Sequence, residues 1–328
     1  MNINEIAKLA GVSRATVSRY LNNGYVSREK KELIRKVIQE TGYQPSTQAQ
    51  MLRTKKTRLV GIILPKINSE SISRMVAGIS EVLNERGYQI ILANTDNNLN
   101  EELKYLSLFR DNQVDGVIFI GTVFTAKHKQ MMKEYKVPIV ILGQCLDGYP
   151  CVYQDDFHAA KELTALLLEK GERLAYIGVL ERDEAAGRNR RRGFEAAVQN
   201  AGMVVPKDRM KEAAFKIESG YEKTKEIFEQ AKELPDSIFC ATDNLAIGAG
   251  IYLKEVGKKV PEDVQLVGTG DTEAGRLVVP SLSSAHFFYK TSGVEAAKML
   301  GDLLEADEKI CKEIKMGYEI HIRDSIRK

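Results

Sequence analysis

The sequence predicts an α/β protein: a small helical head at the N-terminus, then a core of parallel β-sheets flanked by helices and divided into two lobes. Three observations predict it. Positive charge is concentrated at one end. The first forty or so residues carry apolar stripes at helical spacing, interrupted by a glycine turn. Beyond residue 58, short β-branched runs alternate with amphipathic stretches in two successive series.

Charge separates the head from the body. Residues 1–58 hold twelve Lys and Arg against four Asp and Glu, a net of +8, so within an overall +3 the remaining residues sum to −5. A basic head on a mildly acidic body is the electrostatic footprint of a nucleic-acid-binding module joined to something else. The chain is 43% hydrophobic and 28% charged, enough to bury sizeable cores, and it has no run of 18 apolar residues to cross a bilayer. Glu5 and Lys8 stand where a signal peptide needs an apolar region, so a cytoplasmic protein without a membrane partner is expected. Cys145, Cys151, Cys240 and Cys311 form no CxxC and have no histidine at ligand spacing, so no disulfide, metal or cofactor is expected.

In the head, Ile3, Ile6, Ala7 and Ala10 fall at i, i+3, i+4, i+7, one stripe ending at Gly11, whose missing Cβ permits a tight turn. Val12 is the inward residue of that turn. Ser13 is placed to cap a second helix, with Val17 and Leu21 inward and Asn22, Asn23 and Gly24 to stop it. Arg14, Ala15, Ser18 and Arg19 then point away from the stripe and offer small and basic groups to a major groove. Thr16 and Ser18 are suited to phosphates, and Asn22 at the end of the helix is counted with them. A third helix, 28–41, is expected to set Leu33, Val37 and Ile38 against the first two. Residues 1–44 thus read as a helix-turn-helix DNA-binding domain.

Residues 45–57 read as a linker. Pro45 forces Gln44 out of the α region, and Ser46 can cap a short helix reaching about residue 53, too short to be stable alone. Leu52 is a large apolar side chain in this polar stretch, and Lys55 is a candidate phosphate contact.

The core, 58–328, opens with strands at 58–64, 88–94, 115–121 and 137–143, separated by helices at 71–86, 101–112 and 125–135. A second series has strands at 173–180, near 209–213, at 236–242 and at 264–270, again with helices between. Ligands bind beyond the carboxyl ends of such strands, so the following loops should line a cleft between the lobes. Those loops supply Lys66, Asn68, Ser69, Gln144, Asp155, Asp156, Arg188, Arg190, Thr242, Asp243, Asp271 and Tyr289; Asp156 serves equally as a cap for a helix beginning at Phe157. No Ser-His or Cys-His motif and no GxxxxGK[ST] loop is present, so no catalytic residue is assigned and an enzyme is not expected.

The stretch "NEIAKLAGVSRATVSRYLN", followed by "GYVSREKKELIRKVIQETGYQPSTQAQMLRTKKTRLVGIILP", resembles the DNA-binding head, hinge and first core strand of the lactose-repressor (LacI-type) family. The remainder resembles the periplasmic sugar-binding fold to near the C-terminus. The resemblance implies a repressor of a carbohydrate-utilisation operon: a homodimer on a pseudo-palindromic double-stranded DNA operator, released by a sugar or sugar-phosphate effector, a disaccharide, bound between the core lobes. It makes the helix at Arg14 the recognition helix, with Arg14, Ala15 and Arg19 facing base edges, and Leu52 a wedge in the central minor groove. It matches Arg190 to an arginine that forks onto sugar hydroxyls and Phe215 to an aromatic that stacks on sugar.

The stretches "YQDDFHAAKELTALLLEKGERLAYIGV" and "FCATDNLAIGA" look most like the sucrose and trehalose operon repressors, where Lys66 with Arg188 or Arg190 would hold a phosphate. Two positions depart from the pattern. Gly270 stands where many members have an aspartate, which puts Asp271 in doubt as a ligand contact. Gln144 stands where a trehalose-6-phosphate-binding member has an arginine, and an amide suits a hydroxyl better. The tail, 318–328, lacks the leucine heptads of tetrameric members, so a dimer is expected. The rival reading, a sugar-binding protein without a DNA role, would have no basic helix-turn-helix head.

Overall fold

The computed structural model describes residues 1–22, 24–43, 56–112, 114–305 and 311–328, and the chain divides into two units, Met1–Thr57 and Arg58–Lys328. In the first, α1 (Ile3–Leu9), α2 (Arg14–Leu21) and α3 (Arg28–Thr41) enclose a small core of Ile6, Ala7, Ala10, Val17, Val26 and Ile34. Caps define the helix starts. Asn2 Oδ1 accepts from the Asn4 and Glu5 amides while Glu5 accepts from the Asn2 amide, a reciprocal box, and Ser13 Oγ accepts from the Thr16 amide at 3.2 Å. Gly11 takes the left-handed conformation, φ +62°, that the turn requires. One expectation is corrected: Leu33 is exposed, and Ile34 beside it is the buried residue of α3, because the inward stripe runs Ile34, Val37, Ile38. Pro45, Ser46, Leu52 and Lys55 of the expected hinge lie outside the described residues.

The second unit holds two six-stranded sheets. The first contains β1 (Leu59–Leu64), β2 (Gln89–Asn94), β3 (Gly116–Phe119), β4 (Ile139–Leu142), β5 (Cys151–Gln154) and β11 (Glu313–Met316), in the order β11-β5-β4-β3-β1-β2 and wholly parallel. Connecting helices are α4 (Glu70–Glu85), α5 (Leu99–Asp111) and α6 (Ala126–Lys133). Strands β1, β3 and β4 are buried almost throughout, which is why their sequence reads as continuous apolar, β-branched runs.

The second sheet contains β6 (Leu174–Gly178), β7 (Met210–Glu212), β8 (Ser237–Cys240), β9 (Gln265–Thr269), β10 (Ser283–Phe287) and β12 (Tyr318–His321). Its order is β12-β10-β9-β8-β6-β7, parallel except for β12 against β10. Its helices are α7 (Asp156–Leu168), α8 (Arg190–Asn200) entered through a π-helical turn at Glu184–Asn189, α9 (Ile217–Gln230), α10 (Asp243–Glu255) and α11 (Glu273–Leu277).

The chain passes between the lobes three times: after β5, after β10 into α12 (Tyr289–Glu305), and between β11 and β12. Helix α12 returns to pack on α4 with backbones nearly touching. A Cβ on Gly78 would lie 2.1 Å from the Lys290 carbonyl oxygen, and one on Gly293 would lie 2.0 Å from that of Met75, so only glycine fits at either position. The α/β reading with two parallel lobes and a helix-turn-helix head holds. Strands β5, β10, β11 and β12 were not expected from the sequence.

Candidate functional site

Two surfaces concentrate the polar residues anticipated from the sequence. On the head, Arg14, Ala15, Arg19 and Asn22 are exposed, and Thr16 and Ser18 are half-buried. They share α2 because Val17 occupies its inner face. The Thr16 and Ser13 hydroxyls bond each other at 2.9 Å, fixing the start of the helix, and the Asn22 amide nitrogen donates to the Ser18 carbonyl. Arg14 and Arg19 present guanidiniums whose planar donor forks match guanine edges or phosphates.

The second surface is a cleft of about 570 Å³ between the two lobes, at the carboxyl ends of their strands. Lys66, Ser69, Gln144, Arg190, Phe215, Thr242, Asp243 and Tyr289 line it. Asp155 and Arg188 do not. Asp155 is the N-cap of α7, pairing with His158 Nδ1 at 2.8 Å and with Lys315 at 3.2 Å, and Arg188 reaches Glu184 at 2.6 Å on the exposed turn. The following residue, Asp156, is the one that faces the cleft, buried in the first turn of α7. Asp271 points elsewhere, its carboxylate held by Arg276 and Arg323.

Arg190 is the centre of the cleft floor. Its Nε donates to Asp156 Oδ1 at 2.8 Å and its Nη1 to the Thr269 hydroxyl at 2.6 Å and to the Ala241 carbonyl, while the guanidinium carbon sits 5.2 Å from the centre of the Phe287 ring. Burial opposes both charges of the pair and each partner offsets it for the other. Thr242 caps α10 through the Leu245 amide. Asp243 accepts from the Ser284 hydroxyl and the Thr272 amide, each at 2.6 Å, so one oxygen holds β10 and the other the loop after β9. Burial pushes the Tyr289 phenol up to about 12, leaving a neutral hydroxyl. Gln144 donates to the Gly121 carbonyl.

Among the cleft residues that escaped the sequence reading, three have the most telling surroundings. Gln154, at the end of β5, is 4% exposed, and neither its side-chain carbonyl oxygen nor its amide nitrogen has a hydrogen-bond partner among the described residues. Asp183 accepts from the Ala186 amide at 2.9 Å, and burial pushes its carboxyl up to about 6 against that bond. Arg74 forms an ion pair with Glu70 and reaches the Asp271 carbonyl at 3.5 Å, while the Glu70 carboxylate accepts from the Glu273 amide at 3.2 Å. These contacts tie α4 of the first lobe to the second lobe at the cleft mouth. Position could have flagged Asp183, in the loop after β6, but Gln154 ends β5, a strand the sequence did not announce; the burial of neither could be read.

The cleft lining is close to charge balance. Lys66, Arg74, Arg190 and Lys216 face Glu70, Asp156, Asp183, Glu218 and Asp243, with two of the cations already paired to carboxylates. No helix among the described residues is long and apolar enough to cross a membrane.

Residues 2–46 match the model for bacterial regulatory proteins of the lacI family, and 164–326 match a periplasmic binding protein-like domain. The sucrose operon repressor of Staphylococcus xylosus is 30% identical over 324 residues, 97% of this chain and 99% of that one. Among solved structures, a complex of the transcriptional regulator CelR with cellobiose is 27% identical and superposes with a TM-score of 0.76 over 99% of both chains. The lac repressor dimer bound to operator and the anti-inducer ONPF shares the fold, with a TM-score of 0.89 at 20% identity over 99% of this chain and 98% of that one.

Proposed function

This chain belongs to the lacI family of bacterial regulatory proteins, DNA-binding transcriptional regulators and not enzymes, and we propose that it is a cytoplasmic repressor of a carbohydrate-utilisation operon, released by a neutral disaccharide bound between the core lobes. The observation that carries the effector class is the buried amide of Gln154, lining a nearly charge-balanced cleft. A primary amide offers two donors and two acceptor sites, and a sugar hydroxyl supplies the complementary acceptor and donor in one group. Arg190, Asp156 and Tyr289 add a rigid donor fork, an acceptor and a hydroxyl, and Phe215 an apolar face. The volume of about 570 Å³ lies within the range of small-molecule sites. A phosphoryl group would bring about −1.5 to −2 charge into a lining where five carboxylates already face four cations, so the neutral sugar is favoured. The relative bound to cellobiose points the same way.

Residues 1–44 are assigned to operator recognition, 45–57 to the hinge and 58–328 to effector binding and dimerisation. Arg14, Ala15 and Arg19 read bases, Thr16, Ser18, Asn22 and Lys55 position the backbone, and Leu52 wedges the minor groove. Two heads of a homodimer bind the two halves of a pseudo-palindrome, since one head alone supplies too little energy against genomic competitors. Exposed Ile251 and Val279, which line one hollow of the second lobe, are assigned to the partner contact there. Effector binding favours one lobe arrangement over the other, and DNA affinity changes by that difference. Titration calorimetry of the full chain with sucrose, trehalose, cellobiose and their 6-phosphates tests the reading, alongside release of a labelled operator from the protein's own upstream region. Binding of a neutral disaccharide that releases operator is expected. Binding of phosphorylated forms alone overturns the neutral assignment, and no binding by any of them overturns the sugar class.

A further inference from the structure

We propose that Cys145, Cys151 and Glu313, at the β11 edge of the first sheet, form a binding site for a thiophilic divalent cation of zinc's chemical class. The β-register brings two of the ligands together: Glu313 lies directly opposite Cys151 in the parallel β11–β5 pair, so both side chains leave the same face. The turn between β4 and β5 brings Cys145 onto that face, with its Sγ 3.7 Å from that of Cys151. The Sγ atoms and a Glu313 carboxylate oxygen all lie within 4.8 Å of one another.

These distances suit a tetrahedral ion. Two thiolates bound at about 2.3 Å in tetrahedral geometry stand about 3.7–3.8 Å apart, whereas a disulfide needs its sulfurs at about 2.05 Å. Two sulfurs and one carboxylate form a soft donor set that selects zinc-like ions over magnesium or calcium. The outer shell is also present: the Tyr153 hydroxyl donates to Glu313 Oε1, fixing the carboxylate and leaving Oε2 for the ion. Cys145 and Glu313 are exposed, so an ion enters from solvent and a water completes the fourth position.

A second cluster of ligand types shows by contrast what the first has. Asp271, His286 and His321 also lie within 4.8 Å of one another, but Arg276 and Arg323 donate to both Asp271 oxygens. Its lone pairs are taken, and an arriving cation would meet two guanidiniums. No guanidinium or ammonium is paired with Glu313 among the described residues. The sulfur site is separate from the effector cleft, none of its three ligands lining it, although Gln144 of that cleft immediately precedes Cys145.

The test is titration of the reduced, metal-free full chain with Co²⁺, followed by displacement with Zn²⁺. The expected result is one equivalent per chain with thiolate-to-cobalt charge-transfer absorption that Zn²⁺ abolishes. Cys145→Ser, at an exposed position that leaves the fold intact by circular dichroism, should remove the sulfur band. Cys240→Ser, buried in the second lobe, should leave it unchanged, and Tyr153→Phe should weaken binding by about 10–100-fold. Absence of the band in the unmodified chain, or its persistence in Cys145→Ser, overturns the assignment.

Discussion

Arg190→Met removes the guanidinium from the cleft floor and leaves the Asp156 carboxylate, 3% exposed, without its cation. The lost contacts are unequal in consequence. The Ala241 carbonyl still accepts from the Thr269 hydroxyl at 2.6 Å, so the penalty concentrates on Asp156. Stranding one member of a buried pair costs about 3–5 kcal/mol, which for a unit of this size lowers Tm by about 5–9 °C. Burial already pushes the Asp156 carboxyl up, and without Arg190 it rises further. A carboxyl with a raised folded-state pKa contributes stability that is present at low pH and lost as pH rises through that value, so the deficit against the unmodified protein should shrink on acidification. Arg190→Met/Asp156→Leu removes both charges and should recover most of the loss, because the pair stabilises the fold little beyond its own desolvation.

Effector response separates this account from simple damage. Both the single and the double variant should hold operator and fail to release it with the disaccharide, since neither has the donor fork. Thermal unfolding at pH 5 and pH 7.5, paired with operator release by fluorescence anisotropy, makes the comparison. The reasoning fails if the double variant is destabilised by the sum of the two single changes, or if it still releases operator at the usual effector concentration.

Asp183→Asn should stabilise the protein by roughly 2–3 kcal/mol at pH 7.5, because a carboxyl raised from 3.8 to about 6 loses its contribution as pH rises through 6; denaturant titrations should also show a smaller stability gain between pH 6.5 and 4 than in the unmodified chain. Arg14→Ala should relax base preference at one symmetric pair of operator positions in a selection from random duplexes, whereas Lys55→Ala should weaken all sequences alike and flatten the salt slope by about one unit. Leu52→Ala should weaken specific binding far more than non-specific binding at one salt concentration, since a wedge acts through the bent site and not through charge; equal losses would refute that role. Val279→Asp, at a side chain 93% exposed, should shift sedimentation from dimer towards monomer without lowering Tm, and an unchanged mass would place the dimer face elsewhere.

The head and most strands were legible because their signals are local. Helix caps such as Ser13 act over three residues, and doubly covered parallel strands such as β3 and β4 must be apolar at every position. Strand β10 hid because its buried positions include Ser283 and Ser284, which reach burial by bonding and not by apolarity: Ser283 Oγ accepts from the Arg323 amide at 2.8 Å and Ser284 donates to Asp243. Strands β11 and β12 are edge strands with partly exposed residues throughout, so no core pattern marks them.

The site was harder to read than the fold, and "YQDD" shows why. In that stretch the strand ends at Gln154 and the helix begins at Asp156, so Asp155 alone lies between them as the cap. Either aspartate satisfies a capping rule, and a displacement of one residue exchanges a solvent-facing cap for the buried partner of Arg190. The arginine that decides between them is 34 residues further on, brought close only when α7 and α8 pack, with Gly193 admitting the Phe157 carbonyl at 2.2 Å from where a Cβ would stand. Gln154 follows from the same register. Once Asp156 is drawn inward to Arg190, the residue two before it is drawn to the same cleft, and its amide is buried there with its hydrogen-bonding capacity unspent. A cap is a property of four consecutive residues, but a binding group is a property of which distant residue shares its pocket, and that is set by packing.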